Sequence, residues 1–526
     1  MMKLMFVILD SKMLSEEPNH EWINIGYLVS AVKDLKWLDI AVELVNVDDI
    51  DECIDSILNL VSDNKPDIIG FSVYQFNINA FKSIAKRLKL FDSTIRILAG
   101  GVEISMNSMY FMESVPELDY AILDEGEITL HEMLQLIRNE EDLTKCRGIL
   151  FRKNGDIIRT EDRPIVEDID AIRFPSKEFY KSPLLTHFLI CSRGCTGHCT
   201  FCAYKKSSVR CRSFKNIFEE IREVQEKYDC QYFHILDGAF GDGAEDLAGY
   251  YRNFYNEIVK SGLRFCYSFY MRSEQVNEDT IIELKKLNSV GLDYVFIGME
   301  AGNAEDLKIY GKKAKLEDNI RAIKLLDEAG INAECGCILF NPYSNREKLI
   351  KNIEFIKENN VFLNVSRLSS RLAVYSGTPI IKMLAKDGLL NQSPDTPILD
   401  GYGYRFADKD MEKLWEIFSK IDQRIQEKSH KNFYKGISTS IKLLSYIYNL
   451  DCNEINTDLQ NYKEFCFKFS YDIFYNVLEN YNNPTICDSL LQEADNHVEK
   501  LSELEKSIEH KKIMLLRRAI RNNNKY

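Results

Sequence analysis

The chain has 526 residues, 45% hydrophobic and 28% charged, which is the balance of a soluble globular protein and too long for a single core. Its 81 acidic against 67 basic side chains give a net charge of −14, which argues against extended binding along a phosphate backbone and so against a nucleic-acid partner. The apolar runs are strand-sized, so no membrane span is expected, and 14 scattered cysteines are too sparse for a disulfide scaffold, which points to a reduced, cytoplasmic protein.

Strand and helix patterns alternate through the first 140 residues. Strands are expected at Leu4–Leu9, Ile40–Val47, Ile68–Val73, Ile95–Ala99 and Tyr120–Leu123, with helices at Ile25–Leu35, Ile50–Val61 and Ala80–Leu90. Asp10 follows the first apolar run at once, without a small-residue cleavage site, so that run reads as a strand and not as a leader. The alternation implies a doubly wound parallel sheet, whose ligands lie beyond the carboxyl ends of the strands. The loops there are Asp10–His20, Ser72–Asn77, Gly100–Ser108 and Asp124–Glu127. Residues 141–183 read as a connector holding a hairpin around Asn154-Gly155, followed by Pro164, Pro175 and Pro183.

The segment Cys191-Ser-Arg-Gly-Cys195-Thr-Gly-His-Cys199-Thr-Phe-Cys202 comes next. Its Cys195, Cys199 and Cys202 put three thiolates on one short loop, a spacing expected by chance about 0.01 times in such a composition. Electron-transfer iron–sulfur clusters use four cysteines, so three imply an iron left open for a small molecule. A closed zinc site needs a fourth ligand, which His198 or Cys191 could supply. A closed cluster ligated by Cys191 would instead suit an electron-transfer or corrinoid-carrying protein; a buried strand-end thiol is the plainer reading of that residue. A local basic patch follows at Lys205, Lys206, Arg210 and Arg212.

From 184 to 385 the alternation resumes, with strands at Leu185–Ile190, Tyr232–Leu236, Phe265–Tyr270, Tyr294–Ile297, Ala333–Phe340 and Asn364–Ser366. Helices are expected at Ile217–Lys227, Ile281–Leu287 and Leu316–Ala329. Six such units suit a partial (β/α)6 barrel with its active site at the carboxyl ends of the strands. Residues 386–526 lose the alternation; Asp408–Glu427 and Val498–Arg521 look helical, aromatics crowd Phe465–Tyr481, and the basic tail Arg517–Lys525 is expected to fray.

The cysteine loop, with Phe201 before its last cysteine, resembles the signature of the radical S-adenosylmethionine (SAM) enzymes. The resemblance implies a 4Fe-4S cluster on Cys195, Cys199 and Cys202, with SAM chelating the open iron and cleaved reductively to a deoxyadenosyl radical. Asn24-Ile-Gly-Tyr-Leu28, Ile69-Gly-Phe-Ser72, Ala99-Gly-Gly101 and Glu125-Gly-Glu127, in that order, resemble the cobalamin-binding domain of one branch of this superfamily. Ser72, Gly100, Gly101, Glu125 and Gly126 are thereby implied at the cobalamin. The Asp-x-His-x-x-Gly motif that gives cobalt a histidine is absent, and His20 is the only histidine before residue 131, so cobalamin is expected without a protein imidazole.

The same resemblance places Asp237 and Phe240 of Leu236-Asp-Gly-Ala-Phe240 near SAM, although Asp-Gly is also an ordinary turn. Glu300 of Gly298-Met-Glu-Ala-Gly302 is implied as an acceptor for the SAM amino group or ribose, and Arg272 as a partner of its carboxylate. Tyr375-Ser-Gly-Thr-Pro379 resembles a further family turn. Methyl transfer to an unactivated carbon of a peptide or natural product is the expected outcome; rearrangement, cyclisation or cross-linking is the alternative. The implied partners are a small-molecule or peptide substrate and an external reductant such as flavodoxin or ferredoxin. RNA thiomethylation would bring three further cysteines in an N-terminal domain, whereas only Cys53 and Cys146 precede residue 191.

Overall fold

The computed structural model describes residues 1–10, 22–179, 186–204, 208–399, 401–427, 429 and 432–523. Most of the Asp10–His20 loop with His20 itself, Pro183, Leu185, Lys205, Lys206 and the end of the tail including Lys525 lie outside these residues.

Strands β1 (Met2–Asp10), β2 (Leu38–Asn46), β3 (Ile68–Ser72), β4 (Arg96–Gly100) and β5 (Tyr120–Ile122) pair in parallel in the order β2-β1-β3-β4-β5. Helices cover both faces, which is why β1 reads as a continuous apolar run and not as an alternation. Met5, Val7 and Leu9 pack toward helices Ile50–Asn64 and Ile78–Phe91, while Leu4, Phe6 and Ile8 pack toward Ile23–Val32 and Gly126–Arg138. The strand order reverses between β1 and β3, and such switch points open a crevice at the strand ends.

The hairpin that the sequence assigns to a connector belongs to this sheet. Strand β6 (Ile149–Lys153) pairs antiparallel with β5, and β7 (Asp156–Arg159) with β6, making seven strands in all. Asn154 at φ 52° and Gly155 at φ 91° supply the left-handed pair that a two-residue turn requires.

The second sheet is parallel and contains β8 (His187–Leu189), β11 (Tyr232–Ile235), β12 (Cys266–Arg272), β13 (Leu292–Glu300) and β14 (Asn332–Cys337), ordered β14-β13-β12-β11-β8. The short strands β9 (Ser192–Arg193) and β10 (Arg210–Cys211) pair antiparallel at the base of the cysteine loop. The expected sixth strand at Asn364–Ser366 is instead the start of a helical turn, Val365–Leu368, because the Asn364 side chain caps it by accepting from the Arg367 N–H. A lone bridge between Phe340 and Arg371 takes the sixth position.

The C-terminal region is helical: Asp410–Gln426, Phe433–Tyr446, Asn453–Asn480 and Pro484–Asn523. The last helix runs through the stretch expected to fray, as far as Asn523. Phe433–Tyr446 closes the floor of the barrel. Its Leu443 and Tyr446 pack on Tyr232, Cys266 and Tyr294, and Thr439 donates to the buried Asp293 carboxylate at 2.7 Å. The Arg371 guanidinium lies 4.4–4.8 Å from the ring centres of Tyr402, Tyr404, Phe406 and Trp415 and pairs with Glu412 at 2.6 Å.

Candidate active site

The cysteine loop leaves the carboxyl end of β8 and is held by contacts made only in the fold. Asp237, at the end of β11, accepts from the Cys191 N–H at 2.8 Å, the Ser192 N–H at 2.9 Å and the Ser192 hydroxyl at 2.7 Å. Asp242 accepts from the Thr196 N–H and hydroxyl, both at 2.8 Å. The Thr200 N–H donates to the Tyr310 carbonyl at 2.8 Å, its hydroxyl donates to Ile309 at 2.7 Å, and its carbonyl accepts from the Ile380 N–H at 2.9 Å. Phe201 meets Tyr310 edge-on, with ring centres 5.5 Å apart. Cys195, Cys199 and Cys202 are all partly exposed on this frame, whereas Cys191 is fully buried in the core. Among the described residues, no three His, Cys, Asp or Glu side chains are gathered around one metal ion. Cubane thiolates each bind a different iron, so the loop suits a cluster better than a zinc knuckle.

Two residues implied at SAM are turned inward. Phe240 is fully buried among Tyr250, Tyr251, Phe254 and Phe269, so it is a core residue and not part of the pocket wall. Asp237 is 2% exposed with both oxygens occupied; burial raises it to about 6 against the Ser192 and Cys191 donors. It pins the loop base and offers no free face to a ligand. The neighbour between them does approach the cluster loop: a Cβ on Gly238 would lie 3.1 Å from the Cys195 Cβ and 3.2 Å from its sulfur. A side chain at this position would press on that thiol.

Arg272 ends β12, where it donates to Asp242 at 2.8 Å and to Glu274 at 2.9 Å. Burial would raise Asp242, but the Arg272 and Thr196 hydrogen bonds prevail and hold it at about 2. Arg272 Nη1 and Glu274 Oε2 are buried without hydrogen-bond partners. Orphaned polar atoms beside the cysteine loop suit a zwitterionic ligand. Glu300 follows a register shift in the β13–β14 pairing and has φ 63°, a strained backbone for a non-glycine residue. Its carboxylate lies 3.5 Å from the Lys312 ammonium, which is 5% exposed. Asp242 and Lys312 were not legible as site residues, because each reaches the loop only through tertiary folding. His187 pairs with Glu220 at 2.8 Å in the core, His198 contacts the Gly197 carbonyl, and His234 contacts Ser268 and Tyr270 inside the barrel.

On the N-terminal side, Asn24 donates to the Ser72 hydroxyl at 3.0 Å and the Tyr74 hydroxyl at 3.1 Å. Gly101 sits at φ 101°, where a Cβ would lie 2.8 Å from the Val73 carbonyl, so the turn after β4 admits only glycine without strain. Behind it Glu103 is 2% exposed and raised to about 7 by burial, despite a hydrogen bond from Asn107. The Glu125 carboxylate is taken by Arg210 at 2.5 Å, so what it has left to offer a ligand is mainly backbone, beside Gly126.

Both halves open into one cavity of about 870 Å³, with a largely apolar wall. Ser72, Gly100, Gly101, Glu125 and Gly126 line one side, and Cys202, Ala203, Tyr204 and Leu236 line the other. The cavity extends past Phe6, Leu28, Leu98 and Leu130 into the apolar layer between the sheet and its helices. Its size and lining suit a large cofactor with an apolar tail. Among the described residues none beyond Pro379 lines it, so the C-terminal aromatics form no part of its wall. Those aromatics pack within the helical region: Phe465 and Phe469 stack on His497, and Phe474 stacks on Phe418.

Comparison with known proteins agrees with this geometry. Residues 189–356 match the radical SAM superfamily, and residues 15–134 match the B12 binding domain. An uncharacterized methyltransferase of Pyrococcus horikoshii is 24% identical over 357 residues, covering 64% of this chain and 73% of its own. The 4'-phospho-dehydrooxetanocin synthase of Priestia megaterium is 27% identical over 359 residues, covering 61% of this chain; the match spans only 46% of that relative's length. The structure of the cobalamin-dependent SAM radical enzyme OxsB with aqua-cobalamin bound superposes with a TM-score of 0.69 at 19% identity, over 99% of this chain and 80% of that one, and so shares the fold. A cysteine loop on a partial barrel, facing a B12-type sheet across one cavity, makes the chain an enzyme of the cobalamin-dependent radical SAM family, with a 4Fe-4S cluster, SAM and cobalamin as its cofactors.

Proposed function

We propose that the enzyme methylates an unactivated carbon of a peptide or natural-product substrate. The observation that carries this reading is the single cavity walled by the cysteine loop on one side and the β3, β4 and β5 loops on the other. Bound there, cluster and SAM supply a hydrogen-abstracting radical and cobalamin a transferable methyl group. Cys195, Cys199 and Cys202 are the cluster ligands in this reading. Arg272 and Glu300 face SAM, and the loops at Ser72, Gly100-Gly101 and Glu125-Gly126 hold the corrinoid. The apolar wall excludes water that would quench a primary radical.

A small-molecule or peptide substrate and an external flavodoxin or ferredoxin belong to the same proposal, as does a cytoplasmic setting; no helix among the described residues is long and apolar enough to cross a membrane. The second reading, radical rearrangement, cyclisation or cross-linking without methyl transfer, is favoured by similarity to the anaerobic magnesium-protoporphyrin IX monomethyl ester cyclase of Synechocystis sp., 25% identical over 246 residues.

Anaerobic incubation of reconstituted enzyme with trideuteromethyl-SAM, cobalamin, reductant and candidate substrates separates the two. A product heavier by one trideuteromethyl group supports methylation. Deoxyadenosine formation with an unlabelled, altered product supports the second reading and overturns the first.

A further inference from the structure

The two halves of the cavity are joined by ion pairs as well as by space. Strands β9 and β10 close the base of the cysteine loop, and Arg193 and Arg210 sit directly opposite each other in that ladder. Both arginines reach across to the start of helix Gly126–Arg138 in the B12-type half. Arg193 pairs with Glu127 at 2.5 Å and with Glu125 at 3.6 Å, and Arg210 grips Glu125 at 2.5 Å. The Arg193 guanidinium also lies 5.3 Å from the Tyr27 ring centre. Side-chain exposure is 5% for Arg210, 12% for Glu127 and 14% for Arg193. These pairs are therefore shielded from salt, unlike ordinary surface bridges. The chain of contacts continues on the B12 side, where the Asp124 N–H donates at 2.9 Å to the Ser105 hydroxyl, on the short helix Val102–Met106 that follows Gly101.

We propose that Glu125, Glu127, Arg193 and Arg210 are positioning residues: they form a clamp that holds the cysteine loop at a fixed setting against the cobalamin loops, so that filling the cavity stiffens the cluster loop. This deepens the reading above and rests on its cofactor assignment. Bidentate arginine geometry transmits orientation as well as charge, which a lysine would not. A contiguous run of ion-paired and hydrogen-bonded groups is one physical carrier of such coupling.

Hydrogen–deuterium exchange tests it on full-length, cluster-reconstituted protein with and without saturating cobalamin. The readout is Thr196–Thr200, which the cavity does not touch. In the parent protein, cobalamin should slow exchange there by about fivefold, the low end of ordinary coupling energies. Glu127→Gln and Arg193→Gln should each abolish most of that slowing, and the conservative Arg193→Lys, which keeps the charge beside Glu125 and Glu127 but not the fork, should retain part of it. A purely structural role would speed exchange equally with and without cobalamin and leave the difference intact; that result overturns the clamp. So does a parent protein whose loop ignores bound cobalamin. Failure of the parent to retain cobalamin at all would remove the cofactor reading, and the clamp with it.

Discussion

Cys195, Cys199 and Cys202 are partly exposed thiols on a loop pinned through Thr196 and Thr200, and this sets the sharpest expectation at the residue scale. Replacing any one with alanine should leave less than a full complement of iron and sulfide and abolish deoxyadenosine formation. Retained cleavage of SAM in one of the three variants would contradict their assignment. Lys312 carries a second expectation. Its ammonium is nearly buried beside Glu300, and Gly311 next to it packs against the His198 carbonyl and Thr200 on either side of Cys199. A cation there stabilises the reduced, more negative cluster. Lys312→Gln, which also leaves the Glu300 carboxylate uncompensated, should lower the midpoint potential by about 60 mV, one tenfold step for a single electron. Potentiometric titration followed by electron paramagnetic resonance measures it.

At the scale of elements, two buried carboxylates give opposite pH signatures. Glu220 on helix Phe214–Tyr228 is 1% exposed between His187 and Arg212. Burial works to raise it, but those partners hold it at about 2, below its unfolded value. Its contribution is present above the unfolded carboxylate range and is lost as pH falls toward 2. Glu220→Gln strands the buried Arg212 guanidinium and should cost about 3–5 kcal/mol at pH 7, with the gap to the parent closing in acid. Glu103, raised to about 7 by burial, behaves in reverse: its stabilisation is present at low pH and lost as pH rises through 7. Glu103→Gln should therefore be more stable than the parent at pH 8, by about 1–3 kcal/mol, and similar to it near pH 5. Thermal melts across pH check both.

The contrast between what was legible and what was not also belongs to elements. The βα alternation prescribed both parallel sheets, because hydrophobic runs bounded by turns depend on local sequence alone. The hairpin at Asn154-Gly155 was visible, but not the pairing of β6 with β5, since register to a distant strand leaves no local mark. Phe240 was misplaced for a similar reason: an aromatic after a strand end looks the same whether it faces a pocket or the core. Asp242 lies 46 positions from Thr196, and nothing in either segment announces the other.

For the whole molecule, the cavity's described lining contains no histidine. Cobalamin bound as Co(II), with its own lower base displaced and no protein imidazole on cobalt, should show no nitrogen superhyperfine splitting from an axial ligand in its electron paramagnetic resonance spectrum; such splitting would contradict this mode of binding. The barrel itself is less self-sufficient than its chain order suggests. The lone bridge at its sixth position leads into Arg371, whose charge is neutralised by Glu412 and boxed by aromatic rings from 402–415. Its floor is plugged by Phe433–Tyr446, where Thr439 donates to one oxygen of the buried Asp293 carboxylate. A chain ended at residue 385 would uncover an arginine with no counter-ion and a carboxylate stripped of a donor, together with the apolar underside of three strands. Such a truncation should be recovered only as aggregate, so the catalytic half cannot be transplanted as a cassette: anyone grafting its chemistry onto another scaffold has to carry helices whose described residues line no part of the cavity.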